Sequence, residues 1–598
     1  MAADRPLRRR SMRPKVFVYD KRQKSSMANG MSSRPDHRRP YIIIISRGCL
    51  LTVNVDARQN SGTEDERNFV ITAQGPIRGY KESEDVYAFY SIPYATAPTG
   101  SDKFKAPLPP PNWTDTFEAV DKGIICPQPD FGTDIFVKKR TMQENCLILN
   151  IYVPDTEENN LSVVVFIHGG AFQVGAGNRR KALSLMQSKR IITVTFNYRL
   201  GVIGFLCLGT KDVPGNAGMK DIIAMLRWLK KNISSFGGNP YDVTVSGYSS
   251  GAVAADLLIL SKSAMGLFNK VIIESGSNLA EFAIQLKPLD IAKTYARTLN
   301  FTNVDDIFFL EKFYKSLLYH KFTEEAFVYR KDSSFVFVPC VERDVGEEMF
   351  LHDTPINILK SGDYMKVPML YGFTNMEGLV RLPFFDLLKS AMNLNFTDYL
   401  PPDLKFDNDQ EREHITKQVK EFYFTEKPID DNSILAYVDY ITDVMFTSPA
   451  LRSVSLNVAA GNRQIYLYHY TYTDENDPYI AHTTVRGANH CAQSLAVFDD
   501  VKPKNVTTKF TILRKIIRKM WYGFITTGEP IPKKWSLPMT WPPTSVNRTP
   551  HMSFGEFVKL GDILLEKRAR FWDNIYEKYY RQPEPPPLHD NATLKMAF

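Results

Sequence analysis

Ser249 lies in Gly247-Tyr248-Ser249-Ser250-Gly251, a serine flanked at two residues' distance by glycine on both sides. The β-branched run Val243-Thr244-Val245 leads in, and an apolar stretch from Ala252 to Leu260 leads out. That order reads as strand, tight turn, helix. A serine on such a turn is lifted out of the sheet at a helix N-terminus, where developing negative charge is favoured. Five loosely specified residues carry little by themselves. A nucleophilic serine also needs a base, an acid that orients the base, and N–H donors for an oxyanion.

With the serine on a strand-to-helix turn, the partners follow in the order acid, then histidine. His469 sits in the alternating run Tyr466-Leu467-Tyr468-His469-Tyr470, where a structural role is expected. His490, in Arg486-Gly487-Ala488-Asn489-His490, belongs to a glycine-containing loop beyond that strand, where a base is well placed; His482 and His414 stay in contention. Glu377 falls in a turn directly after the apolar run ending at Gly372, although an ordinary loop glutamate would look the same. For the oxyanion, His168-Gly169-Gly170-Ala171-Phe172 follows Val163-Val164-Val165-Phe166-Ile167. The amides of Gly169 and Gly170 on one side and of Ser250 on the other are the candidate donors. His168 itself reads as structural.

Positioning these residues requires a rigid frame. Residues 163–167, 191–196, 243–245 and 271–273 are short buried-strand runs, and residues 218–235 have helical spacing with Ile222, Met225, Leu226, Leu229 and Ile233 on one face. Further strands are expected at 366–372 and 464–472, with mostly helical insertions at 279–350 and 380–450 capping the site. The reading is an α/β protein: an α/β-hydrolase fold whose large, mostly parallel twisted sheet carries helices on both faces. We expect one catalytic domain over residues 69–582, a basic and disordered extension over 1–68, and a Pro-rich tail over 583–598.

The net charge of +8 resides in the extension. Residues 1–47 hold thirteen Lys/Arg against three Asp, a net of +10, so the remainder sums to +8 − 10 = −2. The body therefore offers no charge argument for nucleic acid. Tyr41-Ile42-Ile43-Ile44-Ile45, interrupted soon after by Arg47, reads either as a signal-like segment or as part of a disordered extension. It is too short for a stable membrane span, which takes about 20 apolar residues.

Six cysteines are too few for a disulfide scaffold and too scattered for a zinc site. Cys126 and Cys146 are the plausible pair. Eight N-x-S/T sequons, at Asn112, Asn160, Asn232, Asn300, Asn395, Asn505, Asn547 and Asn591, tilt the balance towards a secreted protein over a cytoplasmic one.

Taken in order, these pieces resemble the type-B carboxylesterase/cholinesterase family, and most of all insect carboxylesterases, over roughly residues 69–580. The resemblance also rests on Phe89-Tyr90-Ser91-Ile92-Pro93-Tyr94-Ala95, Glu144-Asn145-Cys146-Leu147, Asn197-Tyr198-Arg199-Leu200-Gly201, Phe236-Gly237-Gly238-Asn239-Pro240 and Glu274-Ser275-Gly276-Ser277. It implies Ser249 as nucleophile, Glu377 as acid, His490 as base, an oxyanion hole from Gly169, Gly170 and Ser250, and a Cys126–Cys146 bridge. It further implies a small-molecule ester as substrate and no metal or organic cofactor.

The chain departs from the family pattern at Tyr248, commonly Glu; at Ser250, commonly Ala; and at Cys491-Ala492-Gln493, where Gly and an acidic residue are usual. The loop between Cys126 and Cys146 has no Trp, which argues against choline esters. The competing reading is a non-catalytic adhesion or binding protein of the same fold. Such proteins usually lose a triad residue, and here all three are retained.

Overall fold

The computed structural model describes residues 66–129, 141–324, 336–425, 427–499, 506–535 and 539–587. The signal-like segment and nearly all of the N-terminal extension, Cys49, Asn505 and Asn591 lie outside the described residues.

Among the described residues, eleven strands form one sheet. In chain order they are β1 (Tyr80–Ser83), β2 (Val86–Pro93), β3 (Ile148–Pro154), β4 (Leu161–Ile167), β5 (Ile191–Phe196), β6 (Gly238–Tyr248), β7 (Lys270–Glu274), β8 (Met369–Thr374), β9 (Ile465–Tyr470), β10 (His551–Phe554) and β11 (Val558–Gly561). Across the sheet the order is β11-β10-β9-β8-β7-β6-β4-β5-β3-β2-β1. The block from β5 to β10 is parallel, and the remaining strands at both margins pair antiparallel.

Alternation along β4 shows why the sheet is covered twice. Val163, Val165 and Ile167 join one hydrophobic core, and Val164 and Phe166 join another on the opposite face. On the first face lie α1 (Ala217–Asn232), whose Ile222, Met225, Leu226 and Leu229 are fully buried, and α2 (Ser250–Leu258). On the second lies α3 (Thr508–Thr527), which contributes Leu513, Ile517, Trp521 and Phe524. Period-2 strands and 3.6-period helices thus meet on both sides.

Two expectations are corrected. Residues 336–350, expected to be helical, contain no helix. Their backbone groups are taken up by side chains instead: Asn216 bonds both the N–H and the C=O of Cys340, and the Glu342 carboxylate accepts from the amides of Phe350 and Leu351. The same segment is pinned by a second disulfide, Cys207–Cys340, beside Cys126–Cys146. A separation of 133 residues gave the sequence no way to announce that pairing. Of the sequons, Asn232 is buried, with its side chain accepting from Ala73 N and donating to Gln74 and to Trp228 O, so it offers no acceptor in the folded protein. Asn112, Asn160, Asn300, Asn395 and Asn547 are exposed.

Past the proline-rich boundary the chain is still tied to the domain. Glu584 N donates to Leu286 O, and the Arg343 guanidinium holds the Pro586 carbonyl at 2.8 and 2.9 Å. Among the described residues no helix is long and apolar enough to cross a membrane.

Candidate active site

Strand β6 ends at Tyr248 and α2 begins at Ser250, so Ser249 takes the turn alone, at φ 57° and ψ −130°. A non-glycine residue there is strained, and the surroundings must enforce it. They do so by close approach. A Cβ on Gly247 would lie 2.0 Å from the Gly251 carbonyl oxygen, and one on Gly251 would lie 2.2 Å from that of Ile167. The Ser249 amide donates to Glu274 O at 2.9 Å, fixing the turn to the neighbouring strand β7.

Glu377, at the start of the 3₁₀ helix Glu377–Phe384 that follows β8, and His490, on the loop after β9, come from strands that pair in parallel. The two loops are stitched together: Asn375 Oδ1 accepts from Ala488 N at 3.1 Å, and Met376 N donates to Ala488 O. Gly487 has no room for a side chain, since a Cβ would meet Met376 Sδ at 2.0 Å. Glu377 is fully buried. Its Oε1 accepts from Thr374 N at 2.7 Å, and its Oε2 lies 2.5 Å from His490 Nδ1. His490 Nε2 in turn lies 2.9 Å from Ser249 Oγ. The structure therefore brings all three sequence-nominated residues into one relay.

Burial lowers the pKa of His490, but Cys491 and Glu377 beside it reverse that and hold the imidazole above the ordinary histidine range. Its ring packs on Phe446 at 4.5 Å between centroids. Phe446 comes from the π-helical turn Asp443–Thr447, which carries no sequence signal for a site and was missed.

Gly169 lies against the elbow, and Gly170 packs on Val174. A Cβ on Gly169 would stand 2.7 Å from the Tyr248 carbonyl and 2.9 Å from Ser249 Cβ. Among the described residues the amides of Gly169, Gly170 and Ser250 have no acceptor, so all three remain available to a ligand oxygen. The Ser250 hydroxyl, where alanine is usual, accepts from Phe172 N at 3.2 Å and links the helix start to the glycine turn. His168 is buried and stacked on Tyr198, and burial pulls it down to about 4, so it stays neutral.

The rival histidines fall elsewhere. His469 is half-buried within β9 and pushed down to about 3 by desolvation, while His414 and His482 are exposed. Tyr248 is half-buried, edge-on to Phe498 at 5.8 Å, with the Arg180 guanidinium 4.6 Å above its ring. Where a carboxylate is usual, this chain thus sets an aromatic ring and a cation. Among the described residues no cluster of His, Cys, Asp or Glu could hold a metal ion.

A mostly parallel sheet with a serine elbow at one strand end and an acid and a histidine on later loops defines an α/β-hydrolase. The chain belongs to the carboxylesterase family, whose model matches residues 66–572, and as a member it is a carboxylic ester hydrolase. It is 33% identical over 418 residues to a carboxylic ester hydrolase of Bombus ignitus, covering 67% of this chain and 74% of that one. It is also 33% identical over 439 residues to the juvenile hormone esterase of Heliothis virescens, covering 70% and 76%. Among solved structures, juvenile hormone esterase from Manduca sexta with OTFP covalently attached superposes with a TM-score of 0.76 at 28% identity, covering 85% of this chain and 99% of that one.

Proposed function

We propose that Ser249, His490 and Glu377 are the catalytic triad of an esterase that cleaves neutral carboxylic esters through an acyl-enzyme. The observation that carries this reading is the continuous relay from Ser249 Oγ through both nitrogens of His490 to Glu377. With Nδ1–H committed to the Glu377 carboxylate, Nε2 is the acceptor, the tautomer a general base needs. Nε2 takes the Ser249 proton as Oγ attacks the ester carbonyl, and Glu377 stabilises the imidazolium. The amides of Gly169, Gly170 and Ser250 are the proposed donors to the oxyanion, a contribution of about 3 kcal/mol per donor in comparable sites. Imidazolium then protonates the leaving alcohol, and water, deprotonated by the same nitrogen, releases the acid.

The preference for neutral esters rests on Tyr248 and Arg180. No carboxylate precedes the nucleophile, and the guanidinium over Tyr248 opposes a quaternary ammonium. The covalently attached compound in the Manduca sexta esterase supports a nucleophilic mechanism by analogy. The two disulfides and the exposed sequons favour secretion, which N-terminal sequencing and glycosidase digestion of the mature protein would test.

Hydrolysis of p-nitrophenyl acetate tests the catalytic reading. The wild type should turn it over and Ser249→Ala should not, and an organophosphate should label Ser249 alone. A wild-type rate no faster than that of Ser249→Ala would leave the binding-protein reading in its place.

A further inference from the structure

Of the cysteines within the described residues, four are paired in disulfides and Cys491 keeps a free thiol. It directly follows His490, is buried, and adopts φ 61°. Its Sγ lies 3.4 Å from His490 Nε2, the nitrogen that faces Ser249 Oγ at 2.9 Å. Two protic groups therefore converge on one ring nitrogen. A neutral imidazole nitrogen offers a single lone pair, and the other nitrogen is already bonded to Glu377. The thiol and the serine hydroxyl must compete for it.

We propose that Cys491 is a further residue of the esterase machinery, a thiol that shares the base nitrogen with Ser249 and restrains the proton relay. The proposal rests on the triad reading above. The step is a reversible proton transfer: Cys491 S–H gives its proton to Nε2, leaving a thiolate beside an imidazolium, with no other bond made or broken. While Nε2 holds that proton it cannot accept the one from Ser249, and return of the proton to sulfur restores the base. Among the described residues, four side chains face the ring. Glu377 stands at Nδ1, Cys491 and Ser249 stand at Nε2, and the Phe446 ring packs against the imidazole. A thiolate at 3.4 Å favours the charged imidazole, as Glu377 does from the opposite side. Since only neutral His490 serves as base, the thiol displaces the onset of activity to higher pH.

The test compares the full-length wild type with Cys491→Ala and Cys491→Ser on p-nitrophenyl acetate across pH. Both variants should shift the acid limb of kcat/KM to lower pH and raise the rate at neutral pH two- to tenfold. A purely packing role would scale the rate at every pH and leave the limb in place, which would overturn the proposal. Should the variants fail to fold, methyl methanethiosulfonate decides the matter on the wild type. Its methylthio group transfers to the Cys491 sulfur as methanesulfinate leaves, removing the S–H that competes for Nε2. The acid limb of kcat/KM should move to lower pH and return after brief dithiothreitol treatment, whereas an unmoved limb with Cys491 shown by mass to be capped overturns the proposal. Loss of Ser249-dependent hydrolysis in the untreated wild type would instead sink the triad itself, so the two failures are distinguishable.

Discussion

Glu377 divides its carboxylate between two tasks, holding His490 Nδ1 with one oxygen and the Thr374 amide with the other. The second bond ties the acid to the end of β8, so the orientation of the imidazole is set by the sheet and not by a mobile loop. Because Glu377 is fully buried, no solvent competes for either oxygen.

Glu377→Gln keeps the shape of the acid but removes its charge. We expect kcat for p-nitrophenyl acetate to fall about 10⁴-fold, as when a triad acid becomes an amide and the base is held in the wrong tautomer. KM should change little, since Glu377 does not reach the substrate. A fall of less than tenfold would show that His490 is oriented by something else.

The pH dependence follows from the raised pKa of His490. In the proposed mechanism His490 works only when neutral, so kcat/KM should rise with pH, along a limb above the ordinary histidine value of about 6.5. In Glu377→Gln the limb should move down, because the carboxylate that favours the imidazolium is gone. A limb at or below 6.5 in the wild type would contradict the geometry.

Stability has the opposite sign. His168, buried, and His469, half-buried, are neutral, with pKa values held down to about 4 and about 3. Below about pH 6.5 the unfolded chain binds protons that the folded chain refuses, so each histidine removes up to about 1.4 kcal/mol per pH unit as pH falls towards its folded value. Urea midpoints at pH 7 and pH 5 should therefore converge in His469→Phe relative to the wild type. Equal pH sensitivity in the two proteins would refute this.

Gly276 approaches the elbow from behind, and a Cβ there would lie 2.5 Å from the Ser249 carbonyl oxygen. Gly276→Ala should displace the nucleophile without touching the substrate. We expect a folded protein with kcat reduced about a hundredfold, the scale of a displacement of about 1 Å. Near-wild-type turnover would mean that the turn can yield.

The two disulfides close loops of different size, with separations of 20 and 133 residues. Chain entropy alone assigns about 3 kcal/mol to Cys126–Cys146 and about 5 kcal/mol to Cys207–Cys340. Paired serine replacements should lower the denaturation midpoint more for the second bridge. The reverse order would show that native-state strain, not loop closure, governs the effect.

Local pattern made much of this legible. The elbow could be read because its glycines, strand and helix are contiguous, and β4, β5, β6 and β7 because buried parallel strands are unbroken apolar runs. Glu377 and His490 could be nominated from loops after such runs, but family resemblance was needed to prefer His490 over His482 and His414. Residues 336–350 misled because their apolar composition does not reveal that Asn216 and Glu342 satisfy the backbone from a distance.

Local sequence nominated the candidate residues, since the serine elbow, the stretches holding Glu377 and His490 and the glycine turn each occupy a few adjacent positions. Only the tertiary structure decided what surrounds them: the Cys207–Cys340 bridge, Phe446 on the imidazole, Arg180 over Tyr248, and the thiol of Cys491 against Nε2. The physical reason is that a turn or a strand is fixed by interactions within a few residues. A contact across the sheet or between loops depends on how distant segments share one small volume, and neither partner carries a local mark of the other.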